Sequence, residues 1–392
     1  MINDFILLVR EIYQTDEFIP LHAPVFSELD KDLVVDAIDS TFVSSVSDYV
    51  GKFEQSISGL TGAKHVIPVV NGTSGIHLAL HVLGVDQSCE VLTQSLSFVA
   101  TCNAIAYTGA KPIFIDVDMN SMGLSSQSLV IFLQENTELQ EIDGTLKTIN
   151  KTTGKHIAAC VPMHTFGHPV NMAELKTVCE QWNIAIVEDA AEALGSFIES
   201  DVGIERRTMH CGTFGIMGVL SFNGNKVITT GGGGAILTND DSCAERLRHL
   251  STTAKIPHAW EYQHDEIGFN YRMPGLNAAL GCAQMQQLGS FLADKLDTAN
   301  QYRKWSEEYG IHFVDAQTKT KPNFWLNALL LDNQAQRDQF LQETNGSGVM
   351  TRPVWQPMHL LPAFKSSQSN VLENTMQLTQ RLVNVPSSVR GA

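Results

Sequence analysis

Lys226 closes the polar turn Ser221-Phe222-Asn223-Gly224-Asn225-Lys226 and is the only Lys or Arg between Arg207 and Arg246. A lysine placed after a glycine-containing turn can form a Schiff base once burial lowers its pKa. The alternative is an ordinary solvated loop lysine. Asp189 stands in Val187-Glu188-Asp189-Ala190-Ala191-Glu192, at the end of an apolar run. There its carboxylate could meet a cationic nitrogen of a ligand, unless Glu188 or Asp189 only caps the segment that follows. A third feature, Asn71-Gly72-Thr73-Ser74-Gly75, lies between a strand-like and a helix-like stretch. Small residues admit a ligand close to the backbone, and a helix start offers free N–H groups to a phosphate. An N-cap by Thr73 or Ser74 would explain the same residues without a ligand.

Other patterns narrow the chemistry. Gly231–Gly234 opens no helix as GxGxxG and no GxxxxGK[ST] occurs, since Gly154-Lys155 is followed by His156. The glycine run therefore reads as a turn packed against a close neighbour. His164 and His168 stand four apart, but Gly167 and Pro169 put them in a loop, where that spacing does not chelate a metal. No metal is expected. Ser97 and Ser221 lack the GxSxG elbow of an α/β-hydrolase.

These residues need a scaffold that gathers strand ends. Strand-like runs at His65–Val70, Glu90–Thr93, Pro112–Val117, Ile157–Val161, Ile184–Asp189, Val219–Phe222 and Ala235–Thr238 alternate with helical stretches. The helical stretches are Ile76–Leu83, Phe98–Tyr107, Ser126–Glu135, Met172–Trp182 and Asp240–Leu250. The alternation predicts an α/β fold with a large, mostly parallel sheet covered on both faces, whose ligands bind where strands end. A polar stretch around 140–156 reads as an inserted hairpin. After about residue 256 the pattern changes to a smaller α+β lobe. It comprises a helix at Leu276–Leu292, another reaching Tyr309, a strand at Phe324–Leu331, a helix at Gln334–Thr344, a strand at Gly348–Pro353 and a helix at Leu372–Leu382. The expected organisation is an N-terminal segment (1–30), a large ligand-binding domain (31–256) and a small C-terminal domain (257–392).

Composition excludes some partners. With 26 Lys plus Arg against 42 Asp plus Glu the net charge is −16, which disfavours nucleic acid and anionic membranes. Seven scattered cysteines without a CxxC pair read as reduced thiols, and no apolar run reaches the roughly 20 residues of a membrane span. The N-terminus lacks the basic start of a signal peptide. A cytoplasmic location is expected.

Taken in order, these features resemble the DegT/DnrJ/EryC1/StrS family of pyridoxal-phosphate sugar aminotransferases, which have the aspartate aminotransferase (fold type I) architecture with a seven-stranded large-domain sheet. The resemblance runs from Phe18-Ile19-Pro20-Leu21 to Val385-Pro386. It is carried by NGTSGIHLAL (71–80), SFVATCNAI (97–105), AKPIFIDVD (110–118), VEDAAEALGS (187–196), SFNGNK (221–226) and GFNYRMPGLNAALGCAQ (268–284). FVSSV (42–46), VPMHTFGHP (161–169), SFNGNKVITTGGGG (221–234) and MTRPVW (350–355) are closest to aminotransferases of legionaminic acid and bacillosamine-type surface-glycan synthesis.

The resemblance implies pyridoxal phosphate as cofactor, with pyridoxamine phosphate as its aminated form. Lys226 would bond it and later move the proton, and Asp189 would keep the ring nitrogen protonated. Phe98 would stack on the ring, while Gly72, Thr73, Ser74 and Ser221 would hold the phosphate. Asn270 matches a residue supplied by the neighbouring subunit, which implies a homodimer with a shared site. Glu192 stands where many relatives have Gln or His, and Asn223 where many have His. Both are assigned to the cofactor pocket, the role of Glu192 being open. Arg272 and Arg352 are candidates for a nucleotide diphosphate, with surface salt bridges as the alternative. The implied reaction moves an amino group from L-glutamate to C4 of a nucleotide-linked 4-keto-6-deoxy sugar. Competing readings are C3 transamination or another pyridoxal-phosphate reaction on such a sugar, and a regulator that uses the fold without turnover.

Overall fold

The computed structural model describes residues 1–202 and 205–391. Its central sheet follows the order His65–Val69, Gly234–Thr238, Met217–Ser221, Ala185–Asp189, His156–Val161, Cys89–Gln94 and Lys111–Ile115. Gly234–Thr238 is antiparallel to both neighbours, and the remaining pairs are parallel. The hairpin Thr137–Ile142 and Thr145–Asn150 joins through Ile149 and His156, so the seven expected strands become nine. Its first strand begins at Thr137, ahead of the polar stretch taken as the insertion.

Strands such as Cys89–Gln94 are buried along their whole length because helices cover both faces. On one face the helix Gly72–Val82 packs with Val69, Val91, Val187, Val219 and Ile236. Gly75 lets it come close, since a Cβ there would stand 2.7 Å from Val219 Cγ1. On the other face Leu129, Phe132 and Leu175 cover Leu92, Ile113, Ile157 and Ile186. The carboxyl ends of the strands His65–Val69, Ala185–Asp189 and Met217–Ser221 point to one edge, and from them run the segments that carry Gly72, Glu192 and Lys226.

The C-terminal part departs from expectation in several places. Two helices were expected between Leu276 and Tyr309, whereas one helix of 35 residues spans Gly275–Tyr309. Gly281 lies inside the first of the expected helices, where a Cβ would stand 2.7 Å from the ring of Phe53, so the glycine serves close packing. The Phe324–Leu331 strand shortens to Asn327–Leu330, because Phe324 has a left-handed backbone (φ 48°) and Trp325 turns off the strand line. Gly348–Pro353 contributes only Arg352–Pro353 as strand. The last helix ends at Arg381, and Leu382–Val385 forms an unexpected strand at the centre of a four-stranded antiparallel sheet. A separate three-stranded sheet of Phe197–Val202, Glu205–His210 and Thr320–Lys321 was also unread in the sequence.

All seven cysteines are unpaired and buried. Among the described residues no helix is long and apolar enough to cross a membrane.

Two buried histidines tie stability to pH. Burial holds His168 and His210 neutral, lowering each from the ordinary 6.5 to about 4. His210 Nε2 accepts the Gly195 N–H at 2.8 Å, a bond that protonation would break. A depressed pKa contributes stability that is present above the unfolded value and is lost as pH falls through the folded one. Thermal unfolding followed between pH 7 and 4 should show the melting temperature falling once pH drops below 6.5. At pH 4 each histidine should cost up to about 3 kcal/mol.

Candidate active site

The first wall of the site is the start of the helix Gly72–Val82. Asn71, in extended conformation, accepts the Ser74 N–H on Oδ1 at 2.8 Å. The N-cap is therefore Asn71, not Thr73 or Ser74 as the local sequence suggested. Because the cap takes the Ser74 N–H, the preceding Gly72 and Thr73 N–H groups remain for a ligand at the positive end of the helix. Gly234 makes room for this turn: a Cβ there would stand 2.8 Å from Gly72 N and from Leu220 O. The glycine run thus has the close-packing role expected of it.

Asp189 and Lys226 face the same cavity. Asp189 ends its strand, buried, and its Oδ2 accepts the Thr101 hydroxyl at 2.6 Å while Oδ1 accepts the Ala191 N–H at 3.1 Å. Burial raises its pKa above the usual carboxylate range, against the pull of those donors and of Lys226. Its neighbour Glu188 does structural work instead. Its carboxylate accepts the N–H groups of Gly212, Phe214 and Gly215 at 2.6–2.7 Å and meets His164 Nε2 at 3.0 Å. The His164–His168 pair is thereby absorbed into the interior: Nδ1 of His164 accepts the Val170 N–H, and both rings are buried.

Lys226 is no solvated loop lysine, because its side chain keeps only 13% of its exposure. Its Nζ lies 3.1 Å from Glu192 Oε1 and 3.9 Å from the centroid of the Trp325 ring. Glu192 is buried, and its Oε2 accepts the Phe166 N–H at 2.8 Å. Burial pushes its pKa up to about 7, with Lys226 pulling the other way.

A cavity of about 320 Å³ gathers Gly72, Thr73, Phe98, Asp189, Glu192, Ser221, Asn223 and Lys226 among its lining residues. Trp325 and Trp355 line it as well, as do Asn71, Asn225 and Met163. Phe98 is 47% exposed at its rim, with its ring 6.0 Å from that of Trp355. Ser74, Asn270, Arg272 and Arg352 lie outside the lining. Asn270 is exposed, and Arg352 Nη1 is engaged by Asn345 Oδ1 and Thr351 O, each at 3.1 Å. In the motif MTRPVW the cavity residue is thus Trp355, not Arg352. Trp325 was missed altogether. The one available signal was a tryptophan two residues after an asparagine in Asn323-Phe324-Trp325, too weak to act on.

The donor set fits pyridoxal phosphate. Asp189 is a buried carboxylate placed to receive a protonated ring nitrogen. Lys226 offers the amine, and Gly72, Thr73 and Ser221 offer donors for a phosphate. Replacing Glu188 by Gln should test the separation of roles. It turns one acceptor of three backbone N–H groups into a donor, and chemical denaturation should report a loss of about 3 kcal/mol, or failure to fold.

The sequence pattern of the DegT/DnrJ/EryC1/StrS aminotransferase family matches residues 25–390. GDP-perosamine synthase of Escherichia coli O157:H7 is 32% identical over 376 residues, covering 95% of this chain and 93% of that protein. UDP-4-amino-4-deoxy-L-arabinose–oxoglutarate aminotransferase of Shewanella sediminis is 29% identical over 302 residues, covering 74% and 69% of the two chains. Among solved structures, Spr1654 of Streptococcus pneumoniae superposes with a TM-score of 0.82 at 20% identity. The match covers 94% of this chain and 92–93% of that one, in its PMP and PLP forms. The chain belongs to the DegT/DnrJ/EryC1/StrS aminotransferase family and is a sugar aminotransferase that uses pyridoxal phosphate.

Proposed function

We propose that the protein transfers an amino group from L-glutamate to C4 of a nucleotide-linked 4-keto-6-deoxy sugar, UDP-N-acetyl-4-keto-6-deoxyglucosamine being the candidate. The product would serve bacterial surface-glycan synthesis of the legionaminic acid or bacillosamine type. The observation that carries the chemistry is the convergence of Lys226, Asp189 and Glu192 on one cavity beside a helix start. The names of the relatives support the finer reading: one carries a 4-amino-4-deoxy sugar and oxoglutarate, the keto acid left when glutamate gives up its nitrogen.

When bound, the cofactor supplies an aldehyde carbon for the nitrogen and a ring that withdraws electrons from the substrate carbon. Each remaining task falls to a residue of this chain. Asp189 would hold the proton on the ring nitrogen, and Thr101 and Ala191 fix the direction of its carboxylate. Lys226 would hold the cofactor through its amine and, as the free amine, would be the base that moves the proton. Gly72, Thr73 and Ser221 would hold the phosphate, and Phe98, at the cavity rim, would cover the ring. Glu192 stands within reach of the lysine nitrogen, able to share its proton.

Among the described residues Lys226 is the one Lys or Arg in the cavity lining, alongside Asp189 and Glu192. That imbalance supports a homodimer whose second copy brings cationic and polar groups to the phosphates. Asn270 is suited to this. Phe269 and Tyr271 anchor the segment, their rings 5.1 and 5.9 Å from His77 on the helix Gly72–Val82, and leave Asn270 outward. Arg272 presents a buried Nε with no hydrogen-bond partner. In the segment just before it Trp260, Tyr262 and Ile267 are each about four-fifths exposed or more, apolar surface that a second copy would cover.

Two measurements check this reading. Added pyridoxal phosphate should give a visible absorbance band that L-glutamate bleaches and the 4-keto sugar nucleotide restores, and Lys226→Ala should not form it with its own lysine. A colourless protein indifferent to glutamate would sink the assignment. For the shared site, mixing inactive Lys226→Ala with Asn270→Ala and allowing subunits to exchange should recover about a quarter of the sites, the statistical share for residues acting across a two-fold interface. No recovery above the separate variants would place Asn270 outside the partner's site.

A further inference from the structure

The two contacts of the Lys226 ammonium come from separately fixed groups. Glu192 is held through Oε2 by the Phe166 N–H at 2.8 Å. Trp325 is held on three sides. Its Nε1–H donates to Asn225 O at 2.6 Å, one residue before the lysine. Its backbone N–H donates to Asn323 Oδ1 at 2.8 Å, and its carbonyl accepts from the buried Lys295 Nζ at 3.3 Å. Asn323 in turn donates to the carbonyls of Glu192 and Leu194, both at 2.8 Å. Ring and carboxylate are therefore parts of one rigid unit, with the lysine nitrogen between them.

A lysine that bonds and releases a cofactor carbon must spend part of each cycle as a free amine. Inside a cavity the charged form of that amine is costly unless something replaces its water. A carboxylate and the electron-rich face of an indole both do so. We propose that Glu192 and Trp325 form a cradle for the free ammonium of Lys226, with Trp325 a positioning residue that stores the lysine and its proton between bond-forming steps. The proposal rests on Lys226 being the residue that bonds the cofactor. It commits Glu192 to the lysine and assigns a role to a tryptophan that lies 99 residues beyond it in sequence.

Other charged or titratable groups around the cradle are Asp189, His22 and Lys295. Asp189 faces both Lys226 and Glu192 from its strand end. His22 is kept neutral by burial and by the nearby Lys295 and Lys226, and its Nε2 lies 2.8 Å from Lys295 Nζ. Lys295 also donates to Ser387 O at 2.6 Å, and burial lowers its pKa to about 7. None of these three is the target of the substitutions below, so their contribution stays constant.

The test reads the amine directly in the full-length protein stripped of cofactor. Competitive acylation at low acetic anhydride, followed across pH by mass spectrometry of the Lys226 peptide with exposed Lys365 as internal reference, gives the midpoint at which the amine loses its proton. Both cradle groups favour the ammonium, so removing either should move the midpoint to lower pH. We expect Trp325→Leu and Glu192→Gln each to raise the fraction of free amine about tenfold at a given pH below the midpoint, the size a partly desolvated cation–π contact carries. Trp325→Phe keeps an aromatic face and should keep most of the wild-type midpoint. If Trp325→Leu does not fold, biosynthetic replacement of tryptophan by a ring-fluorinated analogue keeps the shape while weakening the face, and should shift the midpoint the same way. An unmoved midpoint in folded Trp325→Leu, or in the fluorinated protein, overturns the cradle. So does faster labelling at all pH values without a midpoint shift, which would mean that the ring controls access alone. The absorbance of Lys226→Ala decides the cofactor assignment independently, so failure of one does not masquerade as failure of the other.

Discussion

Two buried carboxylates and one lysine share a cavity, and the cost of burying those charges is the constraint around which the site is built. An ionised carboxylate taken out of water is unfavourable by several kcal/mol unless hydrogen bonds or a cation replace the water. Asp189 receives a hydroxyl and a backbone N–H, and Glu192 receives a backbone N–H and the lysine. Each of these donors must be held in place by something else. Thr101 sits on the helix Val99–Tyr107, and Phe166 adopts a left-handed backbone (φ 55°) that presents its N–H. The turn after it needs Gly167, where a Cβ would collide with Asn323 Oδ1 at 1.8 Å. Asn323 then ties the Glu192 carbonyl to the segment that bears Trp325. Much of the irregular backbone near the site follows from making these few charges tolerable.

Glu188 is a useful contrast. It is adjacent to Asp189 and equally buried, yet its two oxygens are occupied by three backbone N–H groups and a histidine. Successive residues of a strand point to opposite faces. One carboxylate therefore enters the cavity and the next goes to the packing layer behind it. The same period of two that makes the strand predictable also separates function from structure at neighbouring positions.

That regularity explains what could be read in the sequence. Strand ends, the solitary Lys226, the small residues around Gly72 and the glycine run near Gly234 are local signals with a local physical cause. The alternation of strands with helices followed from them, whereas the order of the strands within the sheet is set by long-range pairing that no local signal carries. The cap at Asn71 was misassigned because Asn, Thr and Ser are all good N-caps, and only the extended backbone at Asn71 distinguishes them. Helix continuity past Leu292 was hidden because buried positions beyond it, such as Lys295, are matched to partners far along the chain, the carbonyls of Trp325 and Ser387. The aromatic side of the cavity was out of reach for a similar reason. Trp325 is defined by bonds to Asn225, Asn323 and Lys295, and Trp355 by packing at 5.0 Å against Phe166. No periodicity records contacts that span such distances along the chain.

The charge of the whole protein bears on how the site is completed. A chain of net charge −16 repels anions at long range, and ions of physiological solution screen that repulsion only beyond about 8 Å. Phosphate groups must therefore be held by short-range donors. Among the described residues those are a helix start, a few hydroxyls and Lys226, whose nitrogen already lies 3.1 Å from Glu192 Oε1. On the proposed reading the missing positive charge comes from a second copy, whose Arg272 region lies beside the exposed Asn270. An acidic surface then has a purpose: it leaves the assembled cavity as the place where anionic ligands find compensation, and disfavours their binding elsewhere.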